Sequence, residues 1–230
     1  RRLPVPVVYT PGDNEWTDCH RPAAGGYDPM ERLTLLRRIY YGDPGVLRLA
    51  MLDVVVPDTE LPENYHFLFR DVLVATVHVV GSRNNLEGRE PAAIVEYEAR
   101  SAANSRHLQS VAETAATANA LALVLVFHAN ADLEKDDPPT AYQLFHEDLH
   151  GLLRSYPGPV LAIHGDTHEF RFDRPLRDQG SDMPHPRFMR LEVPGSPDVA
   201  GVWVTVHPDS EPPFQAEPVY PDARAVLMGD

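Results

Sequence analysis

Residues 121–130 read LALVLVFHAN, an unbroken apolar run that stops at His128. Two further segments have the same form. Val5–Val8 leads into Pro11-Gly12-Asp13-Asn14-Glu15, and Val160–Ile163 leads into His164-Gly165-Asp166-Thr167-His168. Short apolar runs of this kind are what the buried strands of an α/β sheet look like, and ligands gather beyond the carboxyl ends of such strands. Three strand ends carrying Asp, Asn and His predict a metal site built from nitrogen and oxygen ligands.

Val5–Thr10 reads as a strand and Asp28–Tyr41 as a helix. Asp28 is its cap, Pro29 suits its first turn, and Met30, Leu33, Leu35, Leu36 and Ile39 supply an apolar face. Tyr65–Phe69 and Val72–Val80 predict a strand pair around Arg70-Asp71, followed by a loop over 81–88. Pro91–Ala120 reads as a helix feeding the strand at 121–127. Thr140 is expected to cap a helix over Ala141–Ser155, which Tyr156-Pro157-Gly158-Pro159 stops. Later strands are predicted at 170–172, 188–193 and 201–207. Strands alternating with helices predict one layered α/β domain over 1–208, followed by a proline-rich surface tail over 209–230.

Composition narrows the function classes. A chain of 230 residues that is 43% hydrophobic can fold around a substantial core. No apolar run approaches the roughly 20 residues of a membrane span. The net charge of −14 argues against nonspecific binding to DNA or RNA, and no Lys/Arg cluster is present to recruit anionic lipid. A small phosphorylated substrate remains compatible with this charge, because bound cations dominate the field near a metal site. Cys19 is the single cysteine, so neither an internal disulfide nor a cysteine-based zinc site is available.

The three strand-end segments, in this order, resemble the calcineurin-like metallophosphoesterases. That family carries a Gly-Asn-His-Asp/Glu turn, then an isolated His, then a Gly-His-x-His turn. The counterparts here are Gly12-Asp13-Asn14-Glu15, His128 and His164-Gly165-Asp166-Thr167-His168. The chain looks closest to a bacterial branch with a Tyr-Thr-Pro-Gly-Asp-Asn-Glu-Trp turn, here Tyr9–Trp16, and the loop Val80–Asn85 fits that branch too. The resemblance runs from about Val5 to about Pro208. It implies a layered α-β-β-α sandwich, two divalent metal ions (Mn, Fe or Zn), and hydrolysis of a phosphomonoester or phosphodiester by metal-activated water. The family pattern opens with Asp-x-His and Gly-Asp motifs upstream of the Asn turn, which here comes about ten residues from the start. The expectation is therefore the carboxyl-terminal part of a longer protein, lacking the first strands of the sandwich and weakly active or inactive alone.

Two turns can be read in two registers. In direct register Asp13 stands where the family has a metal-binding Asn, Asn14 where it has a catalytic His, and Asp166 where it has the first His of Gly-His-x-His. Shifted by one residue, Asn14 keeps the ligand role beside Glu15; at the later turn, His164 moves in as Asp166 moves out. The expected ligands are Asn14, His128, His164 and His168, with Asp13 and Asp166 as catalytic or supporting carboxylates. Arg83, Asn84 and Asn85 carry donors suited to phosphate oxygens and are expected to bind substrate. Asn14 cannot donate a proton as the family's His does.

The residues alone leave the geometry of the last turn open. A strand persisting through His164, Asp166 and His168 would point all three to one side, whereas a turn at Gly165 and Thr167 would separate them. Two other functions compete. One is a metal- or phosphate-binding protein without turnover. The other is a zinc peptidase using His146, Glu147 and His150, an echo of His-Glu-x-x-His on a helix.

Overall fold

The computed structural model describes residues 4–86, 91–178 and 180–221. Its main sheet has six strands: β1 (His66–Phe69), β2 (Val72–Thr76), β3 (Ala122–Val126), β4 (Val160–His164), β5 (Arg171–Asp173) and β6 (Phe188–Glu192). They lie in the order β1-β2-β3-β4-β6-β5. The central neighbours β2, β3, β4 and β6 run parallel, and the edge strands β1 and β5 are antiparallel to their neighbours. Arg70 and Asp71 join β1 to β2 with φ of 48° and 64°, the turn geometry that matches the twist of paired strands. A separate antiparallel pair, β7 (Gly201–Val206) and β8 (Phe214–Val219), forms a second sheet.

The helical elements are α1 (Pro29–Tyr40), the single turns α2 (Pro44–Leu47) and α3 (Gly81–Asn84), and the long α4 (Pro91–Thr117) and α5 (Thr140–Ser155). Asp28 caps α1 as its position predicts, its Oδ1 accepting the N–H groups of Met30 and Glu31 at 2.7 and 3.1 Å. Among the described residues no helix is long and apolar enough to cross a membrane.

Side-chain alternation along the strands decides the layers. Leu73, Ala75, Leu123, Leu125, Val160 and Ala162 face one way and pack under Leu108 and Val111 of α4 and Phe145 and Leu149 of α5. Val124, Leu161, Met189 and Leu191 face the other way and meet Val202, Val204 and Phe214 of the hairpin. The molecule is thus helices, sheet and hairpin in three layers, a mixed α/β architecture.

Four local expectations fare differently. Val5–Thr10 forms no strand: Val7 N–H goes to Leu47 O and Tyr9 N–H to the Tyr65 hydroxyl, each at 2.9 Å, so these amides build no ladder. Regular pairing in β2 ends at Thr76 rather than Val80, although Val77 N–H still reaches Val126 O at 2.9 Å. Thr140 is the first residue of α5, and Pro139 precedes it with no side-chain cap. Part of the expected tail is the strand β8, where Pro218 is tolerated because β8 has only β7 for a neighbour. The end of the loop predicted at 81–88 and the tail from 222 onward lie outside the described residues.

Candidate metal centre

Beyond their last regular pairs, the parallel strands continue in step. Phe127 N–H donates to Ile163 O at 3.1 Å, Gly165 N–H to His128 O at 3.1 Å, and His128 N–H to Val79 O at 3.1 Å. The segments following β2, β3 and β4 therefore arrive side by side, bringing Gly81, His128 and Asp166 to one place. Asp13 approaches from the amino-terminal loop. Its backbone carbonyl takes the N–H groups of Trp16 and Asp18 at 3.2 and 3.0 Å and the Thr17 hydroxyl at 3.1 Å. Trp16 anchors that loop in the core, fully buried with Leu33 and Val80.

Asp13, His128 and Asp166 each offer one ligand atom, and these atoms all lie within 4.8 Å of one another. His128 Nε2 stands 3.5 Å from Asp13 Oδ1, and His128 Nδ1 accepts the Gly81 N–H at 3.3 Å. One oxygen of each carboxylate is fixed by a backbone amide. Asn14 N–H donates to Asp13 Oδ1 at 2.9 Å, and Asn130 N–H donates to Asp166 Oδ2 at 3.0 Å.

The other oxygens face a gap that glycine keeps open. A Cβ on Gly81 would overlap Asp13 Oδ2 and stand 2.9 Å from Asp166 Oδ1. A Cβ on Gly12 would stand 2.7 Å from Glu15 Oε2 and 2.9 Å from His128 Nε2. Two carboxylates turned to one gap repel unless a cation or a proton lies between them. Two carboxylates and one imidazole suit a hard or borderline divalent ion such as Mn, Fe or Zn.

The wall carrying Gly81 is strained. Ser82, Arg83, Asn84 and Asn85 have φ of 51°, 53°, 55° and 71°, so α3 is a left-handed turn made without a glycine after Gly81. Ser82 and Arg83 each cost about 1–2 kcal/mol there, Asn tolerates the region better, and such a run persists only where the surroundings fix it. The fixing contacts are explicit. Asn84 Nδ2 donates to Ala141 O at 3.2 Å, its Oδ1 accepts the Val80 N–H at 3.3 Å, and Asn85 Nδ2 donates to Glu96 Oε2 at 2.9 Å. The Ser82 hydroxyl donates to Asp18.

The structure brings together Asp13, His128 and Asp166 and leaves the other expected ligands apart. Asn14 is exposed and gives the cluster only its backbone N–H. His164 is 2% exposed and stacks on Phe127 at 5.4 Å. Its Nδ1–H donates to Gly165 O at 3.0 Å, and burial pushes its pKa down to about 4, so the ring is neutral. His168 is exposed, with Nδ1 on Ser196 O at 2.9 Å. The separation has a backbone cause. β4 ends at His164, and φ of 83° at Asp166 and 64° at His168 breaks the strand alternation.

Of the expected substrate residues, Arg83 is exposed, while Asn84 and Asn85 are buried and hold the turn. On α5, His146, Glu147 and His150 line a cavity of about 630 Å³ with Asp136 and Asp137. The ring of His146 is buried there, its Nε2–H donating to Ala131 O at 2.8 Å. Among the described residues the Asp13–His128–Asp166 group is the one set of three or more such ligands. The sequence reading took in Gly81 as part of the loop Val80–Asn85 without giving it a role, and it missed the Asn130 amide, because a backbone amide leaves no signature in sequence.

No protein-family model, curated protein or solved structure matches this chain.

Proposed function

We propose that this chain is a metal-dependent phosphoesterase domain of the calcineurin-like type and that Asp13, His128 and Asp166 hold a divalent cation. The observation that carries this reading is which residues converge. They are the three that stand, in direct register, at the family's metal-binding Asn, isolated His and first His of Gly-His-x-His. Helices on a sheet with a second sheet behind it supply three successive layers of the α-β-β-α sandwich, which supports the same reading.

A divalent ion in the gap would lower the pKa of a bound water and neutralise charge on phosphoryl oxygens. The chain's own residues do the rest. The amides of Asn14 and Asn130 orient the two carboxylates so that their remaining oxygens face the gap. Arg83, exposed on the turn that begins at Gly81, offers a guanidinium to the phosphate. Asn14 cannot supply the proton that the family's acid gives; Glu15 follows it in the turn, its carboxylate and the His128 ring both packed at Gly12. Two carboxylates where the family has Asn and His make the site more anionic, which favours Mn²⁺ over softer ions.

A second reading, metal binding without turnover, is favoured by the single three-ligand group. Titration with Mn²⁺ and hydrolysis of a chromogenic phosphodiester test both. One ion bound by the wild type with weak turnover, both lost in Asp166→Asn and Asp13→Asn, is the expected result. Binding without turnover favours the second reading. No affinity for Mn²⁺, Fe²⁺ or Zn²⁺ overturns both.

A further inference from the structure

We propose that Arg100 is a positioning residue for the Asp13–His128–Asp166 site, acting by clamping the left-handed turn that carries Gly81; the inference rests on reading that group as a metal site. Arg100 lies on α4, hydrogen-bonds to His78, Asn84 and Glu96 rather than to any of the three candidate ligands, and is only 1% exposed. All three of its guanidinium nitrogens are committed. Nη1 donates to His78 O at 2.8 Å and to Asn84 Oδ1 at 2.6 Å. Nη2 donates to Asn84 O at 3.0 Å and to Glu96 Oε2 at 3.1 Å, and Nε donates to Glu96 Oε1 at 2.6 Å. One planar group thus ties the extension of β2 at His78 to the far end of the turn at Asn84. Glu96 extends the clamp to Asn85 through a 2.9 Å bond.

The strain makes such a clamp necessary. Ser82, Arg83, Asn84 and Asn85 all sit in the left-handed region, which is unfavourable for Ser82 and Arg83 above all. Relaxed to ordinary φ, the turn would move Gly81 from its place against Asp13 Oδ2 and Asp166 Oδ1, and the gap between the carboxylates would close or lose its wall. Planar, multidentate donation is what a guanidinium supplies and an ammonium does not, so the role is specific to Arg at this position. The surroundings agree: Trp16, which anchors the Asp13 loop, lies under the same guanidinium at 5.7 Å. Arg100 therefore touches the supports of both Gly81 and Asp13.

The test is the double variant Glu96→Gln/Arg100→Met, which leaves no charge orphaned in the core. Mn²⁺ affinity is compared with that of Leu149→Ala, a core variant on α5 that lowers stability away from the site. Mn²⁺ binding should weaken by about 10–100-fold in the double variant and stay unchanged in Leu149→Ala. Adding Arg83→Gly, which relieves part of the strain, should restore part of the affinity. A metal-free readout separates the two hypotheses: in the apo protein the backbone amides of 81–85 and the ring signals of His128 should shift in the double variant, with those of β6 unmoved. A wild type that ignores Mn²⁺ while these signals shift overturns the metal reading and upholds the clamp. Unshifted signals, or unchanged affinity in a wild type that binds, overturn the clamp.

Discussion

Gly81 donates its backbone N–H to His128 Nδ1 across 3.3 Å, which places the ring proton on Nε2, facing Asp13 Oδ1 at 3.5 Å. Ligation of a cation by Nε2 would move that proton to Nδ1, where it would meet the Gly81 N–H. The contact from Gly81 would then have to break. The Gly81 amide should therefore show one of the largest chemical-shift changes when Zn²⁺ is titrated into the labelled protein. A Gly81 signal that stays in place while Zn²⁺ binds would mean that Nε2 is not the ligand atom.

Gly81 is glycine for space, since its φ is not among the positive ones. Gly81→Ala should leave the backbone intact while its Cβ displaces Asp13 Oδ2. We expect Mn²⁺ affinity to fall by about tenfold or more, with a stability loss of about 1–3 kcal/mol from overpacking. Calorimetric titration and urea denaturation read the two effects separately.

Arg83 occupies a left-handed position and is exposed. Arg83→Gly should raise stability by about 1 kcal/mol, because glycine removes the Cβ clash. The same change should lower turnover of a phosphodiester without lowering metal affinity. A variant less stable than the wild type in urea would show that the Arg83 side chain holds the turn.

His107 links the fold to pH. Its Nε2–H donates to Thr76 O at 3.1 Å. Burial first, and the neighbouring His66 second, push its pKa from 6.5 down to about 4. The folded protein thus keeps the ring neutral where the unfolded chain protonates it. Its contribution to stability is complete above pH 6.5 and is lost as pH falls from 6.5 towards 4, by up to about 3 kcal/mol. His107→Gln retains a donor for Thr76 O and should flatten this part of the profile. Urea midpoints of both proteins at pH 7, 5.5 and 4 check it, and parallel profiles would contradict it.

Much of the architecture was legible in the chain because it depends on local pattern. The apolar runs at 121–127 and 160–163 are β3 and β4, the residues beyond them hold His128 and Asp166, and Asp28 caps α1. Val5–Thr10 has the same apolar look, yet it is no strand, since a strand exists only where a partner offers its ladder.

The order of residues alone marks the three segments that carry metal-binding residues and the strands that lead into two of them, β3 and β4. Which member of each segment reaches the gap is set by the folded backbone. Asp13 rather than Asn14, and Asp166 rather than His164 or His168, face His128. The choice turns on single backbone angles: φ of 83° at Asp166 and 64° at His168 overrides the alternation that a continuing strand would impose. Those angles, like the left-handed run at 82–85, are unfavourable for the residues that adopt them. They are fixed by bonds from distant parts of the chain, such as Asn130 N–H to Asp166 and Arg100 to Asn84. No local pattern encodes such bonds, because their partners become neighbours only when the sheet assembles.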